Sequence, residues 1–347
     1  MNTELASTLA RLVRGESVTP DDVASGLAEI LEGRATDVQA AGFIVALRAK
    51  GETAGELAAL VRTMRAYSTQ VELASGAIDT CGTGGDRSGT VNVSTMAALI
   101  AAAAGARVVK HGNRAASSQC GSADVLEALG VAIELGPLGV ARCVEAAGVG
   151  FCFAPRYHPA MRFLGPARRE LGVPTTFNFL GPLANPAGVR RQAIGISDPA
   201  MATTMLGALD ELGAEHVLVF RGDDGLDELT TTTTSTVHEL VDGRTREYTV
   251  DPMDFGIARA DASALTGGDA ATNARCIRSV LAGDKGPARD IALLNASAAL
   301  LVAGLAPDLG AGIEVATDAL DSGRAATVLD VLVRTSDDAR RLEVEEP

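Results

Sequence analysis

Apolar residues near the start of the chain recur at the spacing of amphipathic helices. The pattern runs through three segments, 23–31, 43–47 and 57–64. Capping-box patterns, in which a threonine is followed three residues later by glutamine or glutamate, open the second and third segments at Thr36 and Thr53. Thr19-Pro20-Asp21-Asp22 is a helix-start signal before the first segment, and residues 1–70 are predicted to form four short helices with no catalytic signature among them.

From about residue 72 the pattern changes to strands in alternation with helices such as 139–147. Apolar runs at 150–154 and 216–220 indicate buried strands. Segments 236–241 and 244–250 flank an Asp-Gly pair, which is typical of a two-residue hairpin and an antiparallel addition to the sheet. The alternation predicts an α/β fold with a mostly parallel central sheet.

The sequence also predicts the local structure of three further segments. The threonine run 230–234 is expected to be extended and solvated, without chemistry, and 295–305 to form a late apolar helix. The charged tail 337–347 is expected to fray.

The composition is that of a globular enzyme. The chain has 347 residues, 47% of them hydrophobic, but no apolar run approaches the roughly 20 residues that a membrane-spanning helix needs. No basic region followed by an apolar core marks a signal peptide, and the five cysteines show no metal-like or redox-like spacing. We therefore expect a cytoplasmic protein with reduced thiols and no membrane partner.

The net charge of −14 disfavours nucleic acid as a partner. Binding a phosphate backbone usually requires a basic face, and single-strand binders add aromatic platforms. This chain has no tryptophan and only 3% aromatic residues. A polyanionic substrate would need local compensation from cations, backbone N–H groups or a divalent metal.

The glycine-rich stretch 79–86, followed by 92–95, is the most informative segment. Glycines at this density let the backbone approach a ligand closely, with N–H groups directed at phosphate oxygens. A helix that begins near Ser94 would direct its N-terminus at the same anion. The plainer alternative is a tight strand-to-helix turn that Ser94 caps.

A second polar loop, 110–118, continues through Ser122 to Asp124 and follows a predicted strand at 106–109. Ligands of open parallel sheets bind at the carboxyl ends of the strands, so both loops are expected to face one cleft. Lys110 and Arg114 would supply cations there, and the serines would supply hydroxyls. A solvated loop is the alternative. Cys81 and Cys120, in or beside these loops, are expected to be buried filler rather than nucleophiles.

Six sequence blocks, in order over about residues 5 to 305, resemble those of the anthranilate phosphoribosyltransferase family. They are Gly-Thr-Gly-Gly-Asp at 82–86, Asn-x-Ser-Thr at 92–95, Lys-His-Gly-Asn-Arg at 110–114, Pro-Ala-Arg-Arg-Glu-Leu-Gly at 166–172, Phe-Asn-Phe-Leu-Gly-Pro-Leu-Ala-Asn-Pro at 177–186 and Asp-Gly-Leu-Asp-Glu at 224–228. A single block would be weak evidence, whereas six in order are specific.

The resemblance implies a magnesium-dependent glycosyltransferase of tryptophan biosynthesis. Its reaction joins anthranilate to 5-phosphoribosyl 1-pyrophosphate (PRPP) and gives N-(5-phosphoribosyl)anthranilate and pyrophosphate. The implied fold is of the nucleoside phosphorylase and phosphoribosyltransferase type. It has a helical domain, 1–70, completed by helices near 162–185, and an α/β catalytic domain formed by 72–160 and 186–347. A homodimer through the helical domain is implied as well.

The resemblance also implies the binding residues. For PRPP they are Gly82, Gly85, Asp86, Thr90, Asn92, Val93, Ser94, Thr95, Lys110, His111, Gly112, Asn113, Arg114, Ala115, Ala116, Ser117, Ser118 and Ser122. For anthranilate they are Gly82, Asn113 and Arg168. A guanidinium fork suits a carboxylate, and the adjacent Arg169 is expected to point elsewhere as an exposed charge.

An acidic pair such as Asp227-Glu228 is, by itself, most typical of a solvated turn. The resemblance assigns the pair to one magnesium ion and the Ser94 hydroxyl to another. Magnesium takes hard oxygen ligands, commonly one or two carboxylates together with substrate phosphates.

No pattern in the chain marks a catalytic acid or base, and none is assigned. His111 and His158 could border the acceptor channel, but a lone histidine is more often structural. A neutral arylamine does not need a strong base, so positioning and electrostatic stabilisation would carry the reaction.

Two alternatives stay open. A pyrimidine nucleoside phosphorylase shares the architecture but differs in its glycine-rich and lysine-bearing segments, and a non-enzymatic relative would show eroded motifs and a basic surface. The chain departs from the family pattern at Arg87-Ser88, Ala167 and Pro174, which concerns local loop geometry.

Overall fold

The computed structural model describes residues 3–115 and 119–345. The chain begins with four consecutive helices: α1 Thr3–Val13, α2 Pro20–Leu31, α3 Asp37–Lys50 and α4 Ala54–Ala66. The capping boxes at Thr36 and Thr53 form as the sequence predicts, and a third forms at Thr19. Each threonine hydroxyl accepts the N–H of the residue three positions later, which satisfies a donor at the helix start.

The α/β region contributes seven strands within the described residues, and helices connect most of them. The strands are β1 Ala77–Gly82, β2 Arg107–Gly112, β3 Val149–Phe153, β4 Arg191–Gly195, β5 His216–Gly222, β6 Ser235–Val241 and β7 Arg244–Val250. The helices are α5 Val93–Ala103, α6 Ser122–Ala128, α7 Pro137–Ala147, α8 Ala154–Tyr157, α9 Gly165–Leu171, α10 Phe177–Leu183, α11 Ala202–Glu211, α12 Ala270–Leu281, α13 Pro287–Ala303, α14 Leu309–Asp321 and α15 Arg324–Glu345.

The strands form one sheet in the order β3-β2-β1-β4-β5-β6-β7. Neighbours from β3 to β5 are parallel, and β6 and β7 add to the edge as the expected antiparallel hairpin. Asp242 adopts a positive φ of 45°, as the first position of a hairpin turn demands. The order reverses at β1, which places the carboxyl ends of β1, β2 and β4 side by side.

Both faces of the sheet are buried, each in its own apolar core. Leu218 and Phe220 belong to the core that α5, α13 and α15 cover, whereas Val217 and Val219 belong to the core that holds α1 to α4. Successive residues of a strand point to opposite faces, so a strand between two cores reads as a continuous apolar run. Helix α9 contacts α3, and α10 contacts α4. The domain boundaries themselves stay a prediction.

Two local expectations are wrong. Thr230 and Thr231 are fully buried rather than solvated, because the Thr230 hydroxyl donates to Asp224 and its N–H to the Ser235 hydroxyl. The charged tail does not fray up to Glu345 but continues α15, since its apolar side packs on the α/β core and Glu343 accepts from the Gly136 N–H at 2.8 Å.

Two boundaries also differ from expectation. The late apolar helix begins at Pro287 rather than at 295, and β2 extends through Lys110 and His111 to Gly112. Within the described ranges, no helix has both the length and the apolar character to cross a membrane.

Candidate active site

A cleft of about 340 Å³ lies at the carboxyl ends of β1 and β2. It is lined by residues 81–94, 110–115 and 120–122, together with Asn178, Asp227 and Glu228. The two loops that the sequence places at consecutive strand ends therefore do face one cleft, and the acidic pair reaches it from beyond β5. Of the predicted PRPP residues, Ala116, Ser117 and Ser118 lie outside the described residues.

The glycine-rich loop depends on glycine at identifiable points. Gly84, Gly85 and Gly89 have φ values of 66°, 87° and 64°, in the left-handed region that other residues rarely adopt. A Cβ atom at Gly82 would lie 2.6 Å from the Asp227 carboxylate. Arg87, one of the departures from the family pattern, shares the left-handed conformation at φ 58°. The loop backbone is thus held close to the acidic pair.

Asp227 and Glu228 each accept a backbone N–H from a predicted phosphate-binding element. Asp227 Oδ2 accepts from Gly84 N at 2.7 Å, and Glu228 Oε1 accepts from Ser94 N at 3.1 Å. Burial and the charge of Asp86 raise the pKa of Asp227, and burial and Asp227 raise that of Glu228. The ionised forms of this acidic pair are therefore disfavoured unless a cation binds beside them.

This donor set fits a divalent cation. Carboxylate oxygens of Asp227 and Glu228 are ligands of the type magnesium prefers, and burial, which raises the pKa of both groups, disfavours their ionised forms unless a cation offsets the charge. The described residues contain no cluster of three or more His, Cys, Asp or Glu side chains that could enclose a metal. Such an incomplete set is typical of magnesium sites that substrate phosphates and water complete.

Lys110 lies in the wall of the cleft rather than in a loop. Its ammonium group is buried and donates to Thr80 O at 2.6 Å and to Ser94 Oγ at 3.1 Å. The Ser94 hydroxyl does not cap α5; the residue before that helix is Asn92, and its side chain makes no capping bond. Lys110 thus ties β1 to the start of α5 and offsets nearby carboxylates.

Asn92 joins three segments around the cleft. Its Nδ2 donates to Cys120 O at 3.1 Å, and its Oδ1 accepts from Asn273 Nδ2 at 2.9 Å. Val93 also lines the cleft, and Thr90 pairs with Thr266 in a short β-bridge. Thr95 is buried and does not line the cleft, unlike the other predicted PRPP residues that the structure describes.

The second loop is folded by charge pairs that the sequence analysis did not foresee. Arg114 donates to Asp124 at 3.1 Å and to Glu127 at 2.8 Å, so its guanidinium is engaged within the protein. Asn113 Oδ1 accepts from Arg114 N at 2.7 Å, and Ser122 Oγ donates to Asn113 O at 3.4 Å. Gly112, Asn113, Ala115 and Ser122 all line the cleft.

Arg168, the predicted anthranilate ligand, lies on α9 and is half-buried, but it is not among the residues that line the cleft. Burial lowers the pKa of its guanidinium. Within residues 3–115 and 119–345, no hydrogen bond or ion pair engages that group. Arg169 is exposed, as expected. A half-buried guanidinium with its donors unused is suited to a carboxylate ligand.

His111 lines the cleft on the side of α10, and a second neutral histidine, His158, lies next to it. Burial lowers the pKa of His111 to about 3 and that of His158 to about 4, and their rings lie 5.0 Å apart. His111 Nδ1 contacts Gly181 O at 3.0 Å, and Arg65 Nη2 donates to Leu183 O at 2.7 Å. Side chains from several elements therefore hold the carbonyl end of α10.

The sequence analysis missed several residues of this architecture. Asp79 is fully buried and accepts from Asn185 Nδ2 at 2.8 Å and from His111 N at 3.3 Å, which fastens β1 to β2 and to the chain after α10. Asp79 lies in the glycine-rich stretch 79–86, and Asn178 and Asn185 lie in the block 177–186. Both patterns were recognised, but neither assigned these residues a role. Asp124 ends the second polar loop and was likewise given no role, whereas Asn273 lies in no singled-out pattern.

Neither cleft cysteine is poised as a nucleophile. Burial raises the pKa of the Cys81 thiol well above its usual value and that of Cys120 to about 11. Both thiols are therefore protonated at neutral pH, in keeping with the expectation that they act as filler.

Comparison with known proteins identifies the family. Two family models match: a glycosyl transferase family helical bundle domain over residues 6–68, and a glycosyl transferase family a/b domain over residues 74–326. The chain is 56% identical to anthranilate phosphoribosyltransferase from Nocardioides sp. over 327 residues, which span 93% of this chain and 96% of the relative. The chain belongs to the anthranilate phosphoribosyltransferase family.

Other members of the family agree in sequence and in structure. The enzyme from Roseiflexus castenholzii is 51% identical over 94% of this chain and 97% of its own length. The crystal structure of anthranilate phosphoribosyltransferase from Thermus thermophilus matches with a TM-score of 0.90 and 41% identity, over 95% of this chain and 99% of the other. The Saccharomyces cerevisiae enzyme, in complex with PRPP and Mg, matches with a TM-score of 0.88 and 25% identity, over 96% and 98%.

The family assignment agrees with the resemblance carried by the six sequence blocks. It also accounts for the combination of a helical N-terminal domain and a larger α/β domain with a mostly parallel sheet. Membership in this family disfavours the nucleoside phosphorylase alternative.

Proposed function

We propose that this chain transfers the phosphoribosyl group of PRPP to the amine of anthranilate. The observation that carries the proposal is the cleft, where a glycine-rich loop and the N-terminus of α5 meet the acidic pair Asp227 and Glu228. Backbone N–H donors beside this acidic pair suit a pyrophosphate that arrives with a divalent cation.

PRPP would lie along the two loops. Gly82, Gly85, Asp86, Thr90, Asn92, Val93 and Ser94 would contribute from the first, and Lys110, His111, Gly112, Asn113, Arg114, Ala115 and Ser122 from the second. Ala116, Ser117, Ser118 and Thr95 complete the proposed set. Support comes from the shared cleft, which most of these residues line.

Anthranilate would lie between the cleft and α9. Arg168 would pair with its carboxylate, and Asn113 and the backbone at Gly82 would contact the ring. The half-burial of Arg168 and its unused donors support this role.

Magnesium would be held by Asp227 and Glu228 at one place and by the Ser94 hydroxyl at another. When bound, it neutralises charge on the pyrophosphate leaving group. The Saccharomyces cerevisiae relative in complex with PRPP and Mg supports the choice of metal.

The chemistry is displacement at the anomeric carbon. The C–O bond to pyrophosphate breaks, a C–N bond forms from the amine lone pair, and the amine proton passes to solvent. An arylamine is neutral at pH 7, and the pKa values of His111 and His158, lowered to about 3 and about 4, leave both imidazoles neutral as well. Catalysis would come from orientation of the two reactants and from donors directed at the leaving group.

The loss of anthranilate fluorescence tests this proposal. The expected result is a decay that requires the purified chain, PRPP and magnesium together. Thymidine with inorganic phosphate serves as the comparison substrate pair, and turnover of that pair instead would favour the phosphorylase alternative. No decay in folded protein that binds PRPP would mean that the acceptor is assigned wrongly.

The setting of the enzyme is also proposed. We expect a homodimer through α1 to α4, a cytoplasmic location, and domains divided at 1–70 with 162–185 against 72–160 with 186–347. The pairing of α9 with α3 and of α10 with α4 supports that division.

A further inference from the structure

We infer that Asp124 is a positioning residue that sets the affinity for PRPP by joining two backbone segments, the loop ends, defined as residues 113–115 and 121–123. This inference rests on the proposed function. Asp124 does not line the cleft itself, so it acts through residues that do.

One carboxylate oxygen of Asp124 binds both loop ends. Asp124 Oδ2 accepts from Ala115 N at 2.9 Å and from Gly121 N at 2.9 Å. The bond to Gly121 is the one that a capping box at the start of α6 requires. The bond to Ala115 adds nothing to that helix. It reaches back nine residues to the segment that follows β2.

The loop ends lie in direct backbone contact. A Cβ atom at Gly121 would be 2.5 Å from Ala115 N and 2.7 Å from Asn113 O. Ala123 N donates to Asn113 O at 3.2 Å. Because no side chain separates the segments, the placement of Asn113 and Ala115 at the cleft depends on how the two N–H groups are satisfied.

Apart from these two backbone bonds, the negative charge of Asp124 would disfavour binding of PRPP nearby. A carboxylate close to the binding place of a polyanion repels it, unless the charge is offset nearby. Arg114 offsets it with a donor at 3.1 Å to Asp124 Oδ1, and the Arg114 guanidinium lies over the Phe153 ring at 5.6 Å. The Asp124 carboxylate is thus bonded within the loop. It is expected to act by positioning the loop ends rather than by contacting the ligand.

Substitution of Asp124 separates this role from a general effect on folding. Asp124→Ala removes both backbone bonds, and we expect the KM for PRPP to rise about tenfold or more, because hydrogen bonds to a charged group are lost. The KM for anthranilate should rise less than that for PRPP, because Asn113 is only one of its proposed contacts and Arg168, its proposed carboxylate ligand, lies on α9 rather than on the loop ends. Asp124→Asn can keep an acceptor oxygen at the same place, so it should restore most of the affinity.

Glu127→Gln is the matched control. Glu127 shares Arg114 with Asp124 but makes no bond to the loop backbone within the described residues. Its KM for PRPP should stay within about twofold of the parent. Calorimetric titration of PRPP in the presence of magnesium gives an affinity that does not depend on turnover, and it should reproduce the same order of variants.

Asp124→Glu keeps the inference testable if Asp124→Ala fails to fold. It retains the charge but moves it by one methylene, and PRPP affinity should fall about threefold or more with an unchanged unfolding midpoint. Parent-like PRPP affinity in Asp124→Ala or Asp124→Glu would overturn the inference, as would an equal rise of both KM values. Inactivity of the parent chain with PRPP and anthranilate would instead count against the proposed function.

Discussion

The helical region 3–66 and the cleft are held together in different ways. In the helical region, capping boxes join residues three positions apart, and the core is mainly apolar, with Leu60 and Phe43 at 0% exposure, although Glu29 and Glu56 are buried there as well. In the cleft, the bond from Gly84 to Asp227 spans 143 residues, and the bond from Ser94 to Glu228 spans 134. We therefore expect substitutions in the helical region to act mainly on stability, and substitutions of the cleft carboxylates to act mainly on ligand binding and turnover.

The largest expected effect is on catalysis, from Asp227→Ala. Loss of this carboxylate should lower kcat/KM about a hundredfold or more, because a proposed metal ligand disappears. The unfolding midpoint should not fall, since Asp227 lies among the like charges of Asp86 and Glu228. Activity is measured by the fluorescence assay, and stability by thermal unfolding.

Asp223→Asn is the control for that variant. Asp223 is an exposed carboxylate of the same loop that accepts from the Thr234 and Thr236 hydroxyls. It should retain nearly full activity. Equal losses in both variants would contradict a specific role for Asp227.

Leu60→Ala should have the converse outcome. Removal of a fully buried side chain from α4 should destabilise the chain by about 2–5 kcal/mol, while the KM values of the folded fraction stay near those of the parent. Arg62→Ala, at an exposed position of the same helix, should change stability by less than about 0.5 kcal/mol. Urea unfolding measures both variants. A selective change in PRPP affinity in Leu60→Ala would contradict the expectation that the helical region acts on stability rather than on ligand binding.

His158 lies beside His111 of the cleft, and its lowered pKa should make the stability of the fold depend on pH. Burial lowers its pKa from 6.5 to about 4, so between these values the unfolded chain binds a proton that the folded chain does not. Stability should therefore be complete above pH 6.5 and be lost as the pH falls towards 4, with about 2 kcal/mol lost at pH 5.

His158→Asn keeps an N–H donor but cannot titrate, so its loss of stability between pH 7 and pH 5 should be smaller by about 2 kcal/mol. Urea unfolding at the two pH values checks this expectation. Identical losses in parent and variant would mean that His158 is protonated in the folded state.

The smallest expected effect is that of a cap. Thr53→Ala removes the hydroxyl that accepts from Glu56 N at 3.2 Å, which should cost about 1 kcal/mol. Thr53→Ser keeps the hydroxyl and should lie within a few tenths of the parent. Chemical denaturation resolves the two variants, and equal destabilisation would show that the methyl group, rather than the cap, is responsible.

The same contrast explains what could be predicted from sequence. The capping boxes at Thr36 and Thr53 and the hairpin at Asp242 are local signals, and all form as predicted. The glycine-rich loop was recognisable because the backbone there needs glycine at Gly84 and Gly85. Such features depend on residues close together in sequence.

Features that depend on tertiary partners were not predictable. The burial of Thr230 requires Asp224 and Ser235 around it, and the order of α15 requires the bond from Gly136 to Glu343. Lys110 was expected in a loop, but its ammonium is satisfied by Thr80 and Ser94, which lets it stay in β2. Local sequence patterns do not reveal these partners, because the contacts form only in the folded chain.

Phosphorus NMR of PRPP, mixed with the chain, magnesium and anthranilate, tests the central assignment of the cleft most directly. We predict that pyrophosphate appears in an amount equal to the anthranilate consumed, and that it does not appear when anthranilate or magnesium is omitted. Pyrophosphate release at the same rate without anthranilate, or none with all components present, would contradict the assignment.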